Sequence, residues 1–390
     1  LADKKTAELA SVTMMKNVTA KSAIANTAPF ISVKADGQDS VVIKAQVQDK
    51  HGNTALQGMA VKWKTSLGSL SASETQTDAH GIATVRLTSQ QAGDAQVTAV
   101  LSGKEKAAPT QARFMPGELS AAHSLVTISK NQAVTGEDVQ ITFTPKDRYG
   151  NTLTDNVEAI TLVFTPNLGI SPHPPSFKKT ENGSYSAAFH ATKVGQTAIA
   201  VNVGTLRMNK SLNLTVVADS AKPQAADEQN PFTLSKKGIA GVLKGSDSVT
   251  VDETVIYAIA LTDAHGNPLG KDIQTDWSIA GIGWLNYSRV FTDNNGVARV
   301  ALSSQNIGTA SVTVTLPGGK VYTQDTVFTH GKLNPATSTV TLSKPSIIAD
   351  GKETTTLTVK LFDTPKNAIP GQAAQMKVTA SAGAGITIPA

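Results

Sequence analysis

Four copies of one short turn signature cut the sequence into pieces the size of a small β-domain. The pattern D-x-x-G-N reads DKHGN from Asp49, DRYGN from Asp147 and DAHGN from Asp263, with a degraded DTPKN from Asp363. The Asp positions are 98, 116 and 100 residues apart. A second signature follows as TDAHGIA from Thr77, ENGSY from Glu181 and TDNNGVA from Thr292. From its Gly to the next marker Gly the interval is 12 residues in all three units: Gly81 to Gly93, Gly183 to Gly195 and Gly296 to Gly308. Self-similarity at a fixed period signals a repeated structural module. An equal interval inside otherwise different text signals one backbone plan.

Between the markers the periodicity is that of strands. Stepping back from each Asp by twos gives Val47, Ala45, Ile43 and Val41, then Pro145, Phe143, Ile141 and Val139, then Leu261, Ile259, Tyr257 and Val255, then Leu361, Val359 and Leu357. The intervening positions of the first two units, such as Gln46, Lys44, Thr144 and Gln140, are polar. One face is therefore packed and the other wet. Short strands with turn signals about every ten residues indicate an all-β chain of tandem immunoglobulin-like sandwiches. Only AELAS near the start and QAADEQ around Ala225 read as short helical stretches. Trp63 and Trp277 each lie 11 residues after a signature Gly (Gly52, Gly266), and Phe164 falls nearby in the second unit. These three are the expected core aromatics.

Boundaries fall where composition loosens, giving units 1–116, 117–217 (divergent), 218–331 and 332–390, the last with about half the residues a sandwich needs. The start at Leu1, with no initiator Met or signal peptide, and the stop at Ala390 read as a piece of a longer protein. Compact modules of this size are about 35 Å across, so four in line would make a rod of roughly 130 Å. The stretch Ala218–Phe232, with two prolines and no clear period, reads either as a hinge or as a segment folded against the third unit.

Composition narrows the function classes. Lys+Arg number 35 against 30 Asp+Glu, a weak field with no dense basic stripe, which disfavours nucleic-acid binding. Cysteine is absent, and with it go disulfides, thiolate metal sites and thiol nucleophiles. The longest apolar run, VIYAIAL from Val255, is strand-sized rather than membrane-spanning. The seven histidines are scattered, and no metalloprotease, nucleophile-elbow or phosphate-loop motif occurs. No catalytic residue and no cofactor is expected.

The D-x-x-G-N signature itself admits two readings, a metal or acid/base site and a turn. Asp and Asn bond their own backbone and Gly supplies positive φ, and each strand alternation ends at this point. The position of His51 is Tyr149 in the second unit, and no copy adds a cluster of ligands at metal spacing. The turn is favoured, at Asp49, Gly52 and Asn53, at Asp147, Gly150 and Asn151, and at Asp263, Gly266 and Asn267. His80, whose counterpart is Asn295, is likewise read as a surface turn residue.

Several of these motifs together resemble a family. ADG at Ala35, D-x-x-G-N, the Trp eleven residues on, G-x-L at Gly68, T-D-x-x-G-x-A and the A-G that precedes an alternating strand are similar to the bacterial Ig-like (Big-1 type) repeats of invasin and intimin adhesins, the inverse autotransporters. The likeness is strong in the first and third units and opens the fourth as ADGKETTTLTVKLFD. The second is looser, with TGEDVQ in place of ADG. The resemblance implies the extracellular portion of an outer-membrane protein on a bacterial surface, held there by a separate upstream β-barrel. It implies a partner among host cell-surface or extracellular-matrix components; the fragment is expected to be monomeric.

Aligning Gly68-Ser69-Leu70 with Gly283-Trp284-Leu285 places Trp284 where the sister unit has Ser, facing water, with Tyr287 close by. The pair reads as a candidate partner contact, or as aromatics packed under a loop or an adjacent domain. Three roles follow: a segment that attaches to host cells or matrix through its own surfaces, a passive stalk presenting a distal tip, and, more remotely, an accessory module of a secreted carbohydrate-active enzyme.

Overall fold

The computed structural model describes residues 9–19, 32–49, 54, 57–101, 104–105, 109–155, 157–243, 248–381 and 385–388. They form strands and two short 3-10 turns, Pro317–Gly319 and Ala373–Gln375. No helix among them is long and apolar enough to cross a membrane. The chain divides into two compact units, one of residues 1–133 and 137–216, the other of 134–136 and 217–390.

The first unit holds two sandwiches. In the first, one sheet runs in the order Leu9–Thr19, Ser40–Asp49, Ile82–Thr88, Ser69–Leu70. The facing sheet runs Ser32–Lys34, Thr110–Met115, Gly93–Leu101, Ala60–Thr65, Glu74–Gln76. Every second residue points inward, so Val41, Ile43, Ala45 and Val47 meet Trp63, Val97 and Phe114 in one buried core. In the second sandwich, Leu125–Ile128, Val139–Thr144, Tyr185–Ala191 and Ile170–Ser171 form one sheet. Gln132–Val134, Leu212–Val217, Gly195–Val203 and Ile160–Thr165 form the other. Phe164 lies in its core, edge-on to Phe189 at 4.9 Å between ring centres.

In the second unit a third sandwich pairs the sheet Gln224–Ala225, Thr254–Thr262, Val297–Ser303, Trp284–Leu285 with the sheet Val249–Thr250, Val321–Thr329, Gly308–Thr315, Gln274–Gly281, Arg289–Phe291. Trp277 is buried between them. The stretch 218–232 folds against this sandwich. Gln224–Ala225 adds to a sheet, the Ala225 amide donates to Tyr322 Oη at 3.0 Å, and Phe232 packs edge-on to Tyr257 at 5.5 Å. Beyond it, Thr339–Leu342 and Leu357–Lys360 form a two-stranded antiparallel ribbon. Its apolar positions stay open to solvent, Val340 at 65 %, because no second sheet faces it among the described residues.

Both expected helical stretches are strands. Leu9–Thr19, which contains most of AELAS, pairs with Ser40–Asp49 over ten residues, and Gln224–Ala225 pairs with Thr262 and Leu261. Partnering by a preformed strand outweighs a weak local helix preference.

The constant 12-residue interval has a structural cause. Gly81, Gly183 and Gly296 close tight turns at φ +67°, +74° and +72°. Each turn feeds a seven-residue strand, Ile82–Thr88, Tyr185–Ala191 and Val297–Ser303. A short loop then crosses to the other sheet, where the second Gly opens the next strand. At Gly296 a Cβ would lie 2.0 Å from the Leu269 carbonyl oxygen, so the turn admits only glycine without backbone movement.

Candidate functional site

The signature turns are where polar chemistry concentrates in the interior. After strand Val139–Thr144 the chain reverses: the Asp147 amide donates to the Asn151 carbonyl at 3.0 Å and the Gly150 amide to the Asp147 carbonyl at 3.1 Å. Gly150 sits at φ +88°. The Asp147 side chain is 0 % exposed. Its Oδ1 accepts from the amides of Tyr149 and Asn151, both at 2.9 Å. Its Oδ2 accepts from Asn151 Nδ2 at 2.8 Å and from the Gly117 amide at 2.9 Å. Gly117 lies just past the last strand of the first sandwich, so one carboxylate ties the second sandwich's turn to the chain leaving the first.

Burying a carboxylate is costly unless its lone pairs are satisfied. Here that burial pushes the carboxyl pKa up, and the Asn151 amide together with the Gly117, Asn151 and Tyr149 N–H groups more than offsets it, leaving Asp147 below the ordinary carboxylate value. All four partners are neutral donors. No cation takes part.

Asn151 carries the contact further. Its Nδ2 also donates to the Gln90 carbonyl at 2.9 Å, and its Oδ1 accepts from the Ala92 amide at 2.9 Å. The side-chain amide thus pairs with the backbone of the first sandwich's crossover loop as a neighbouring strand would. The loop is held in shape by Ser89, whose Oγ donates to the Gln91 carbonyl at 2.7 Å and accepts from its amide at 3.0 Å. Beside it, Tyr149 Oη donates to the Asp36 carbonyl at 2.8 Å, within the Ala35-Asp36-Gly37 turn. Arg148 lies over the Tyr149 ring.

The second unit repeats the chemistry twice. Asp263, 0 % exposed, accepts from the His265 and Asn267 amides at 2.8 and 2.9 Å and from Asn267 Nδ2. It also accepts from Thr135 Oγ1 at 2.6 Å, and that oxygen accepts from the Asp219 amide at 3.2 Å. Asp363, equally buried, accepts from the Asn367 amide at 2.6 Å, from Asn367 Nδ2 at 3.0 Å and from the Gly331 amide at 3.0 Å. Asn367 Nδ2 donates to the Gln305 carbonyl at 2.9 Å, in a loop that Ser304 holds as Ser89 holds the first. Lys366 takes the Gly position at φ +73°.

These three carboxyls lie below their ordinary value, burial raising each and hydrogen bonds lowering it further. A pKa depressed on folding gives stability that is fully present above the unfolded value, about 3.9, and is lost as pH falls through the folded value. Hydrogen exchange of the amides at 149–151, 265–267 and Gly117 is therefore expected to stay equally protected, after correction for intrinsic rates, from pH 8 to about 5. Protection should fall away below about pH 4. Added salt should change it little, since no ion pair is involved.

The other residues singled out in the sequence are spread over the fold. Asp49 ends strand Ser40–Asp49, and His51, Gly52 and Asn53 lie outside the described residues. Gly150 and Gly266 are exposed while their Asp partners are buried, so the surface-turn description fits the middle of each signature and not its ends. Asn267 is buried too. Trp63, Phe164 and Trp277 sit in the three cores. Trp284 is 50 % and Tyr287 61 % exposed, the Trp on an edge strand opposite Ser303. No group of three or more His, Cys, Asp or Glu gathers at metal-holding distance among the described residues. Sequence reading missed the receiving side of the turn. The signal was present as SQQAG from Ser89 and SQNIG from Ser304.

Fold and site together define a tandem Ig-like repeat segment. Residues 17–115 match the family described as bacterial Ig-like domain (group 1). Over 355 residues, 87 % of this chain, the sequence is 28 % identical to the inverse autotransporter adhesin YeeJ of Escherichia coli (strain K12). The chain spans 14 % of that relative's length. The solved structure of FdeC, an Escherichia coli adhesin, superimposes with a TM-score of 0.54 at 20 % identity, covering 83 % of this chain and 98 % of that one. Yersinia pseudotuberculosis InvD gives 0.48 at 20 % identity, over 76 % and 94 %. The chain belongs with the invasin and intimin family of bacterial Ig-like adhesins. Its place is the extracellular portion of an outer-membrane protein at the bacterial cell surface.

Proposed function

We propose that this chain is an adhesive segment that attaches the bacterium to host cells or matrix through non-catalytic surfaces of its sandwiches, held to the outer membrane by a separate upstream domain. The observation that carries this reading is the likeness to an adhesin along 87 % of the chain. Trp284 and Tyr287 are the contact residues we assign, as a half-exposed aromatic pair on one sandwich. The purified chain is expected to bind epithelial cells or immobilised matrix saturably. Trp284→Ala should weaken that binding by about 30-fold, the scale of a 2 kcal/mol hot-spot residue. Saturable binding unchanged by Trp284→Ala moves the contact elsewhere on the chain. No saturable binding at all refutes attachment by this segment and leaves a spacer for a distal tip. The second reading is favoured by one feature: the most fully bonded polar clusters, around Asp147 and Asp363, join parts of the chain to one another and do not face outward.

A further inference from the structure

The Asn151 amide engages both the carbonyl of Gln90 and the amide of Ala92, which is more than closing a turn requires. Asp147 already holds the turn together through the amides of Tyr149 and Asn151. Asn151 instead reads the backbone of a loop 59 to 61 residues earlier in the chain. The same pairing of Asn with a Gln carbonyl recurs in the second unit, Asn367 with Gln305, at the same 2.9 Å. Each receiving loop has the sequence S-Q-x-x-G, and in each the Ser hydroxyl bonds the residue two ahead, presenting the Gln carbonyl outward. A third feature of the first pair is the bond from Tyr149 Oη to the Asp36 carbonyl, on the other side of the same pole.

We propose that the S-Q-x-x-G loop is a socket and the D-x-x-x-N turn its plug, a docking pair by which one Ig-like module recognises the module that follows it and fixes its rotation. The kind of partner this surface fits is therefore a second module of the same family, carrying an Asn four residues after a buried Asp. Two anchor points, Asn151 on the loop and Tyr149 on the Ala35-Asp36-Gly37 turn, restrain twist as well as separation. A single bond would act as a swivel. The carboxylate of Asp147, tied to Gly117, fixes the linker between the two anchors. Asparagine is specified at the last position because the loop offers an acceptor at Gln90 and a donor at Ala92, and only an amide answers both.

The absence of native cysteine makes a direct test practical on the full chain. Spin labels are placed at Lys62→Cys in the first sandwich and Val163→Cys in the second, both exposed strand positions. Distances are measured by pulsed electron paramagnetic resonance. The parent is expected to give one narrow distribution. Asn151→Ala should widen it at least twofold, and Tyr149→Phe, which keeps both Asp147 and Asn151, should widen it less. A control pair within the first sandwich, Lys62→Cys with Thr84→Cys, should stay narrow throughout. A parent distribution as broad as that of Asn151→Ala overturns the proposal, as does a folded Asn151→Ala protein with an unchanged distribution. Should Asn151→Ala unfold the second sandwich, Tyr149→Phe decides: widening supports the docking pair and an unchanged width overturns it.

Discussion

Asp147→Asn is expected to destabilise the joint between the first two sandwiches by about 3 kcal/mol, although it changes one atom. Every group that meets the Asp147 carboxylate is a donor: the amides of Tyr149, Asn151 and Gly117 and the side-chain Nδ2 of Asn151. An asparagine turns one of its two oxygens into a further donor. Whichever way the new amide points, it sets N–H against N–H and leaves buried donors unmatched, and bonds to a charged acceptor are lost at about 1.5–3 kcal/mol each. Hydrogen exchange at Gly117 and residues 149–151 should accelerate by about 100-fold, the equivalent of that energy, while strands Ile82–Thr88 and Gly93–Leu101 keep their protection. Unchanged exchange at 149–151 would show that the carboxylate is not what holds the turn.

Trp277→Ala should be at least as severe, and confined to the third sandwich. The ring is buried in that core with Phe232 against it at 5.9 Å. Its Nε1 donates to Thr275 Oγ1 at 2.8 Å, and Thr275 in turn donates to the Val290 carbonyl. Truncation leaves a cavity and removes the packing partner of the folded-back 218–232 stretch, at a cost of about 3–5 kcal/mol. For a domain of this size the calorimetric transition should fall by roughly 12 °C or more. Trp284→Ala, the same substitution at a half-exposed edge position, should move it by little, within about 0.5 kcal/mol. Equal shifts for the two variants would contradict the assignment of core and surface.

The difference between those two tryptophans shows how far the sequence could be read. Strand phase was legible because the period of two runs straight into each turn signature, and Val255, Tyr257, Ile259 and Leu261 all lie in the core. The same phase in the fourth segment, at Leu357 and Val359, is present without burial, since alternation reports which face wants covering and not whether a second sheet is there. The two misread stretches, AELAS and QAADEQ, are short, and their conformation is decided by distant partners. The joint was the least legible. D-x-x-G-N announces a turn through its own residues, but the carbonyl of Gln90 and the amides of Ala92 and Gly117 that complete it are backbone groups of the neighbouring module, and backbone groups carry no sequence label.

The receiving loop runs from strand Ile82–Thr88 in one sheet to strand Gly93–Leu101 in the other. A pull arriving through Asn151 is delivered at the one place where both layers meet, and so is divided between them. Load shared in this way runs along the strands, where the rungs of each ladder resist together. It does not lift one edge and let the rungs part in succession, and a bacterium tethered in flowing fluid would hold on through the stronger of the two geometries.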